Sequence, residues 1–359
     1  MARYTTLEYK RLGGSVPMLM DVYAPPLAAS AGVVPLPIVI FFHGGALTVG
    51  NRESYLPTWL IDRVLSLGYA FISADYRLLI PTTAKEIIED IQDAFKSVAR
   101  SELPGKNYIF KLDGDRIAVS GNSAGGLCAR LAAIHATPRP KALIDIYGQG
   151  GNFFTNFHLD IKPGDIQFLL QTVPHFPDAD FKTMTYPFTE GLPPVSTGTD
   201  ANIDPNLPIA ERPVDDPRSK IYPFLFQRGR YLDYYTGLHK PSLTDTLREV
   251  LENKGEITEQ DAKAIVPEEI HSWFPQLSID SKWPPTIMIH GTVDDTVPIE
   301  ESRHFFKLIK EKSKSPVKFI EVKGEFAVHG WDCFPASETQ TKVEFDSIKD
   351  FIKEHLERK

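Results

Sequence analysis

The chain has 359 residues, 42% of them hydrophobic and 24% charged, with a formal net charge of −8. These values fit a globular protein with one large α/β domain carrying an insertion, or two domains. The acidic balance excludes nucleic acid and anionic membrane as main partners, because both need a basic face.

Cys128 and Cys333 are the only cysteines. Two are too few for a disulfide framework and point to a reducing, cytoplasmic compartment. The opening Met1 to Thr6 lacks the apolar stretch of a signal peptide, and the longest apolar runs are strand-length, so no membrane insertion is expected.

In chain order, Thr5 to Lys10 and Val16 to Tyr23 flank Gly13-Gly14 and predict a hairpin. Ile38 to Phe42 is continuously apolar, the mark of a parallel strand buried on both faces. A helix near Tyr55 to Ser66 follows, then a strand over Tyr69 to Ala74. Ile87, Ile88, Ile91, Phe95 and Val98 recur at helical spacing and predict a helix over Ala84 to Arg100. Arg116 to Ser120 reads as a strand, Ala124 to His135 as a helix, and Ala142 to Tyr147 as a strand.

This alternation predicts a doubly wound, mostly parallel sheet. It breaks between Gly148 and Lys282, where prolines cluster from Pro174 to Pro217. Capping signals at Ser242 to Asp245 and Thr258 to Asp261 open two helical patterns there. Residues 1–150 and 283–359 are therefore expected to form the core, and 151–282 an inserted, mainly helical cap. Its many aromatics, Phe153, Tyr222, Tyr231, Tyr235 and Phe274 among them, argue against disorder. After Trp283-Pro284-Pro285 the pattern resumes with a strand ending at His290, a helix from Ile299 to Lys310, a strand over Val317 to Val322 and a helix over Thr341 to Leu356.

Gly121-Asn122-Ser123-Ala124-Gly125 lies where a strand hands over to a helix. A nucleophilic serine on a strained turn needs small neighbours two residues to each side, which Gly121 and Gly125 supply. Its hydroxyl needs a base and the base an orienting acid. His329-Gly330 follows the last strand and supplies the base. The segment His290-Gly-x-x-Asp294-x-x-Val297-Pro298 supplies the acid at Asp294. Asp295, one residue on, points elsewhere, and Asp332 lies too close to His329 along the chain. His43-Gly44-Gly45 follows the apolar strand. Gly44 and Gly45, with the Ala124 amide, are the expected oxyanion donors, and His43 the structural support of their loop. His43 has no spaced partner for a metal, and no dinucleotide or phosphate loop is complete, so neither metal nor cofactor is expected.

The order of oxyanion glycines, Ser, Asp and His is that of α/β hydrolases. With Asp75-Tyr76-Arg77-Leu78, these segments resemble the hormone-sensitive-lipase-like carboxylesterases of that superfamily, over about residues 5–150 and 283–357. Ala46 stands where that branch usually has a third glycine, Asn122 where Asp is frequent, and Leu79-Ile80-Pro81 where Ala-Pro-Glu usually follows. The Asp294 segment also resembles prolyl-oligopeptidase-type hydrolases, whose large preceding domain has no room before His43. The His-Gly-Gly loop is similar to that of arylformamidases. The resemblance implies an α/β-hydrolase fold and a serine esterase that cleaves small, neutral, apolar esters through an acyl-enzyme. Acyl transfer, lactone hydrolysis and formamide hydrolysis on the same residues stay open, as does a non-catalytic ligand-binding receptor.

Overall fold

The computed structural model describes residues 4–27, 32–98, 102–188, 191–195 and 218–357. The chain opens with an antiparallel pair, β1 (Tyr4–Leu12) and β2 (Val16–Tyr23). The doubly wound core follows as β3 (Val33–Phe42), α1 (Thr58–Ser66), β4 (Ala70–Ala74), α2 (Ala84–Val98), β5 (Glu102–Pro104), β6 (Ile109–Asn122), α3 (Ala124–His135) and β7 (Ala142–Ile146).

A long excursion then carries α4 (Asn156–Leu159), a two-stranded ribbon of β8 (Ile166–Phe168) and β9 (Gln171–Val173), α5 (Arg218–Gln227), α6 (Tyr231–Thr236), α7 (Leu243–Lys254) and α8 (Glu259–Ile265). The core closes with β10 (Thr286–Gly291), α9 (Ile299–Lys312), β11 (Val317–Val322), α10 (Ser337–Gln340) and α11 (Lys342–Leu356).

The main sheet runs β1-β2-β4-β3-β6-β7-β10-β11, with β5 on the outer part of β6. From β4 to β11 all neighbours on this path are parallel, while β1, β2 and β4 pair antiparallel. The expected doubly wound, mostly parallel sheet is thus present. It forms because Ile38 to Phe42, Ala70 to Ala74 and Ala142 to Ile146 are buried along their whole length and need cover on both faces.

The two faces have different cover. One carries α1 and α11 on Val39, Phe41, Ile144 and Ile289, with Trp59 stacked on Phe345 at 3.9 Å. The other carries α2, α3 and α9. Its hydrophobic cluster runs without a break from Ile40 and Val119 into Phe153, Tyr231, Tyr235 and Phe274 of the excursion.

The differences from the sequence reading are local. The first core helix starts at Thr58, because Tyr55 takes a left-handed φ of 52° and Pro57 precedes the helix. The ribbon β8–β9 carries no Gly or Asn at its turn: Leu169 and Leu170 take φ of 52° and 59°, so the usual hairpin signal is missing. Helix α5 contains Pro223, a residue that reads as a break. Both predicted caps are present: the Ser242 side chain accepts from the Asp245 amide, and Thr258 and Asp261 form a reciprocal capping box. Residues 196–217, much of the proline-rich stretch, lie outside the described residues.

Candidate active site

Strand β6 meets α3 at Ser123, whose backbone is held at φ 53° and ψ −123°. Such a conformation is costly for a non-glycine residue and persists only where its surroundings dictate it. Here the surroundings are two backbone contacts that no side chain fits between. A Cβ on Gly121 would meet the Gly125 carbonyl oxygen at 1.9 Å, and one on Gly125 would meet the Phe42 carbonyl oxygen at 1.9 Å. The Ser123 amide donates to the Ile146 carbonyl (3.0 Å), and the Gln149 amide donates to the Ser123 carbonyl (2.9 Å).

The loop between β11 and α10 brings His329 over this serine. Its Nε2 is 3.0 Å from Ser123 Oγ, and its Nδ1 is 2.7 Å from Asp294 Oδ2. Asp294 sits in the turn after β10, where its Oδ1 accepts the amides of Thr296 (2.9 Å) and Val297 (2.8 Å). Burial pushes the Asp294 pKa up, but the charge of His329 and hydrogen bonds from His290 and His329 outweigh it and hold the carboxyl well below its usual range.

Ser123, His329 and Asp294 are thus brought together; Asp295 and Asp332 are not. Asp295 turns to the hairpin tip, accepting the Leu170 amide (2.8 Å) and the Thr296 hydroxyl (2.9 Å). Asp332 lies beneath His329, accepting the Trp59 indole N–H (2.9 Å) and the Tyr147 hydroxyl. Burial raises the Asp332 pKa despite these donors.

Tyr147 was not legible as a site residue. It has a left-handed φ of 39°, and its ring stands edge-on to His329 with centroids 4.9 Å apart. Nothing in the local sequence marks it, because its partner Asp332 is 185 residues away.

Gly44 faces the serine from the end of β3, and Gly45 follows it in the loop. A Cβ on Gly44 would approach Ser123 Cβ to 3.2 Å, and one on Gly45 would strike the Val49 carbonyl at 2.3 Å. Gly45 has φ 107°, Ala46 53° and Leu47 62°. The left-handed φ of Ala46 explains why glycine is common there in the resembled branch.

His43 is buried behind the loop. Its Nδ1–H donates to the Gly44 carbonyl (2.7 Å), and its ring stacks on Tyr76 at 4.3 Å. Burial lowers its pKa to about 4 despite the Gly44 hydrogen bond, so it is neutral at physiological pH. Tyr76 in turn donates to the His43 carbonyl (2.8 Å), and Asp75 accepts the Arg52 amide (2.8 Å). Asp75 and Tyr76 therefore brace the loop over residues 43–52. Among the described residues no group of His, Cys, Asp or Glu is arranged to hold a metal ion.

The parallel sheet with a strained serine at a strand–helix turn is the fold of the α/β hydrolases. A family model described as BD-FAE matches residues 20–158. The non-reducing polyketide synthase pkbA of Emericella nidulans is 26% identical over 389 residues, covering 99% of this chain and 14% of the synthase. The probable carboxylesterase M8 of a Phoma species is 31% identical over 147 residues, covering 39% of this chain and 45% of that protein. The chain thus spans under half the length of these relatives. An α/β-hydrolase superfamily protein from Enterococcus faecalis has the same fold, with a TM-score of 0.57 and 15% identity over 99% of this chain and 100% of that one.

Proposed function

We propose that the protein is a serine hydrolase of carboxylic esters. Ser123 is the nucleophile, His329 the base that takes its proton, and Asp294 the acid that orients the imidazole and balances its charge. The observation that carries this reading is the unbroken relay of 3.0 and 2.7 Å from Ser123 to Asp294 on a strained elbow.

The Ser123 hydroxyl attacks the ester carbonyl as His329 Nε2 takes its proton. The carbonyl oxygen becomes an oxyanion, for which the amides of Gly44, Gly45 and Ala124 are the donors. His329 then gives its proton to the leaving alcohol. Water, activated by the same histidine, cleaves the acyl-enzyme. Residues 151–282 act as the cap over this site. Its buried aromatics and the net charge of −8 favour small, neutral, apolar esters over anionic ones. The free Cys128 and Cys333 fit a cytoplasmic setting. No helix among the described residues is long and apolar enough to cross a membrane.

A second reading, acyl transfer on the same residues, draws on the match to the polyketide synthase along 99% of the chain. Labelling by a fluorophosphonate probe, lost in Ser123→Ala, tests the nucleophile. Rates on acetyl, butyryl, octanoyl, palmitoyl and succinyl esters test the substrate class; a preference for palmitoyl or succinyl would overturn it. Product analysis in water against added alcohol separates hydrolysis from transfer.

A further inference from the structure

His290, the last side chain before the Asp294 turn, is fully buried and stands beside the carboxylate rather than in the relay. Its Nε2 lies 2.9 Å from the Val297 carbonyl oxygen and 3.2 Å from Asp294 Oδ2. Its Nδ1 lies 2.7 Å from the Ser302 hydroxyl on α9.

A carbonyl and a carboxylate only accept hydrogen bonds, so the ring proton is on Nε2. Nδ1 then carries a lone pair, which accepts the Ser302 hydroxyl proton. The tautomer is fixed from both sides. Asp294 Oδ2 therefore meets the His329 N–H directly and, at 3.2 Å, the His290 N–H that the Val297 carbonyl shares, while Oδ1 holds two backbone amides. The relay alone needs only the first of these four.

We propose that His290 is a positioning residue for the reaction: it fixes the Asp294 carboxylate toward His329 and takes up part of its negative charge. The inference rests on Ser123, His329 and Asp294 being the working site. Without the His290 N–H, Oδ2 is free to turn about the amide-bound Oδ1, and its full charge falls on His329. The imidazole then holds its proton more tightly, so the active, neutral base exists only at higher pH.

The other groups around this pair are few. Glu321 lies opposite His290 on β11, with its charge paired to Arg303. Tyr147 presents its ring to both histidines, and Asp332 lies beneath His329. None of them donates to Asp294.

The test uses the full chain as wild type, His290→Leu, His290→Gln and Ser302→Ala, with p-nitrophenyl butyrate as probe. His290→Leu should lower kcat about 10–100-fold, the scale of a misplaced catalytic group, with KM within about twofold. The acid limb of its pH profile should move to higher pH. His290→Gln, whose amide N–H can still donate, should recover most of kcat and restore the limb. Wild-type kcat and pH profile in His290→Leu would overturn the proposal, as would a folded His290→Gln that is as impaired as the leucine variant. If His290→Leu does not fold, Ser302→Ala decides: a smaller loss of kcat with the limb moved the same way supports the role, and an unchanged profile overturns it. The low-field proton resonance of the His329 Nδ1–H bond, followed through a pH titration, reads the same effect without a substrate. A shifted titration in the variants beside a wild type that hydrolyses no ester would keep this inference and reject the esterase reading.

Discussion

At the scale of single residues, the site depends on which atoms the backbone lets face each other. Ser123→Ala should remove about 10⁵–10⁶ of turnover while leaving the melting temperature nearly unchanged, because the residues of a relay act as a unit. His329→Ala should cost about as much, and the double variant little more; additive losses would mean that the two do not share one mechanism. The neighbouring aspartates give a sharper contrast. Asp294→Asn turns an acceptor into a donor against His329 Nδ1 and should cost several orders of magnitude in kcat. Asp295→Asn keeps an oxygen for the Leu170 amide and should cost little. The reverse ranking in steady-state kinetics would reject the assignment of the acid. Tyr147→Phe leaves one Asp332 oxygen without its Tyr147 donor in a buried site, so unfolding in urea should show a loss of about 1–3 kcal/mol.

At the scale of elements, the crossing of β6 and α3 tolerates no side chain at its two glycines. Gly121→Ala would place a Cβ 1.9 Å from a backbone oxygen. The strand and helix must separate to relieve it, and that moves Ser123. Soluble expression and labelling should therefore both fail in Gly121→Ala. By contrast, Thr258→Ala removes only the cap of α8, a helix that carries none of Ser123, Asp294 and His329, and should cost about 1 kcal/mol with kcat unchanged. A fully active Gly121→Ala would show that the elbow does not set the serine's geometry. The same scale shows where periodicity fails. The buried strands and the two capped helices announce themselves in sequence. The β8–β9 turn does not, since two leucines adopt φ values that ordinarily call for Gly or Asn, and Asp295 and Thr296 hold that tip from another part of the chain.

At the scale of the whole molecule, two buried titrating groups at the loop over residues 43–52 respond to acid in opposite directions. His43 has a folded pKa of about 4, below its ordinary 6.5. The unfolded chain takes up that proton first, so stability falls as pH drops from 6.5 to 4. The full shift corresponds to about 3 kcal/mol. Asp75 goes the other way. Burial raises its pKa to about 6 against the pull of Arg52. The folded chain therefore binds that proton first, and stability rises as pH drops from 6 toward 4, by a similar amount. The two slopes nearly cancel in the intact protein. Removing His43 exposes the second: relative to wild type, His43→Gln should gain about 3 kcal/mol between pH 7 and pH 4 in urea unfolding. A constant difference between the two proteins across that range would show that His43 titrates normally in the fold.

The sequence by itself determined what is local. Gly121 and Gly125 flank Ser123 because the turn excludes a Cβ, so the requirement is written within five residues. Apolar runs and helical spacing set the parallel core for the same reason, since each element carries its own burial pattern. The spacing from His290 to Pro298 separated Asp294 from Asp295, because a one-residue step redirects a side chain in a turn. Only the tertiary structure decided what depends on partners far apart in the chain. Trp59 and Tyr147 reach Asp332 across 273 and 185 residues, the aromatics of the long excursion share one hydrophobic cluster with the sheet, and His290 meets Ser302 from a different element. Contacts of that kind leave no periodic trace, because their geometry is fixed by how the layers pack and not by the order of residues within any one of them.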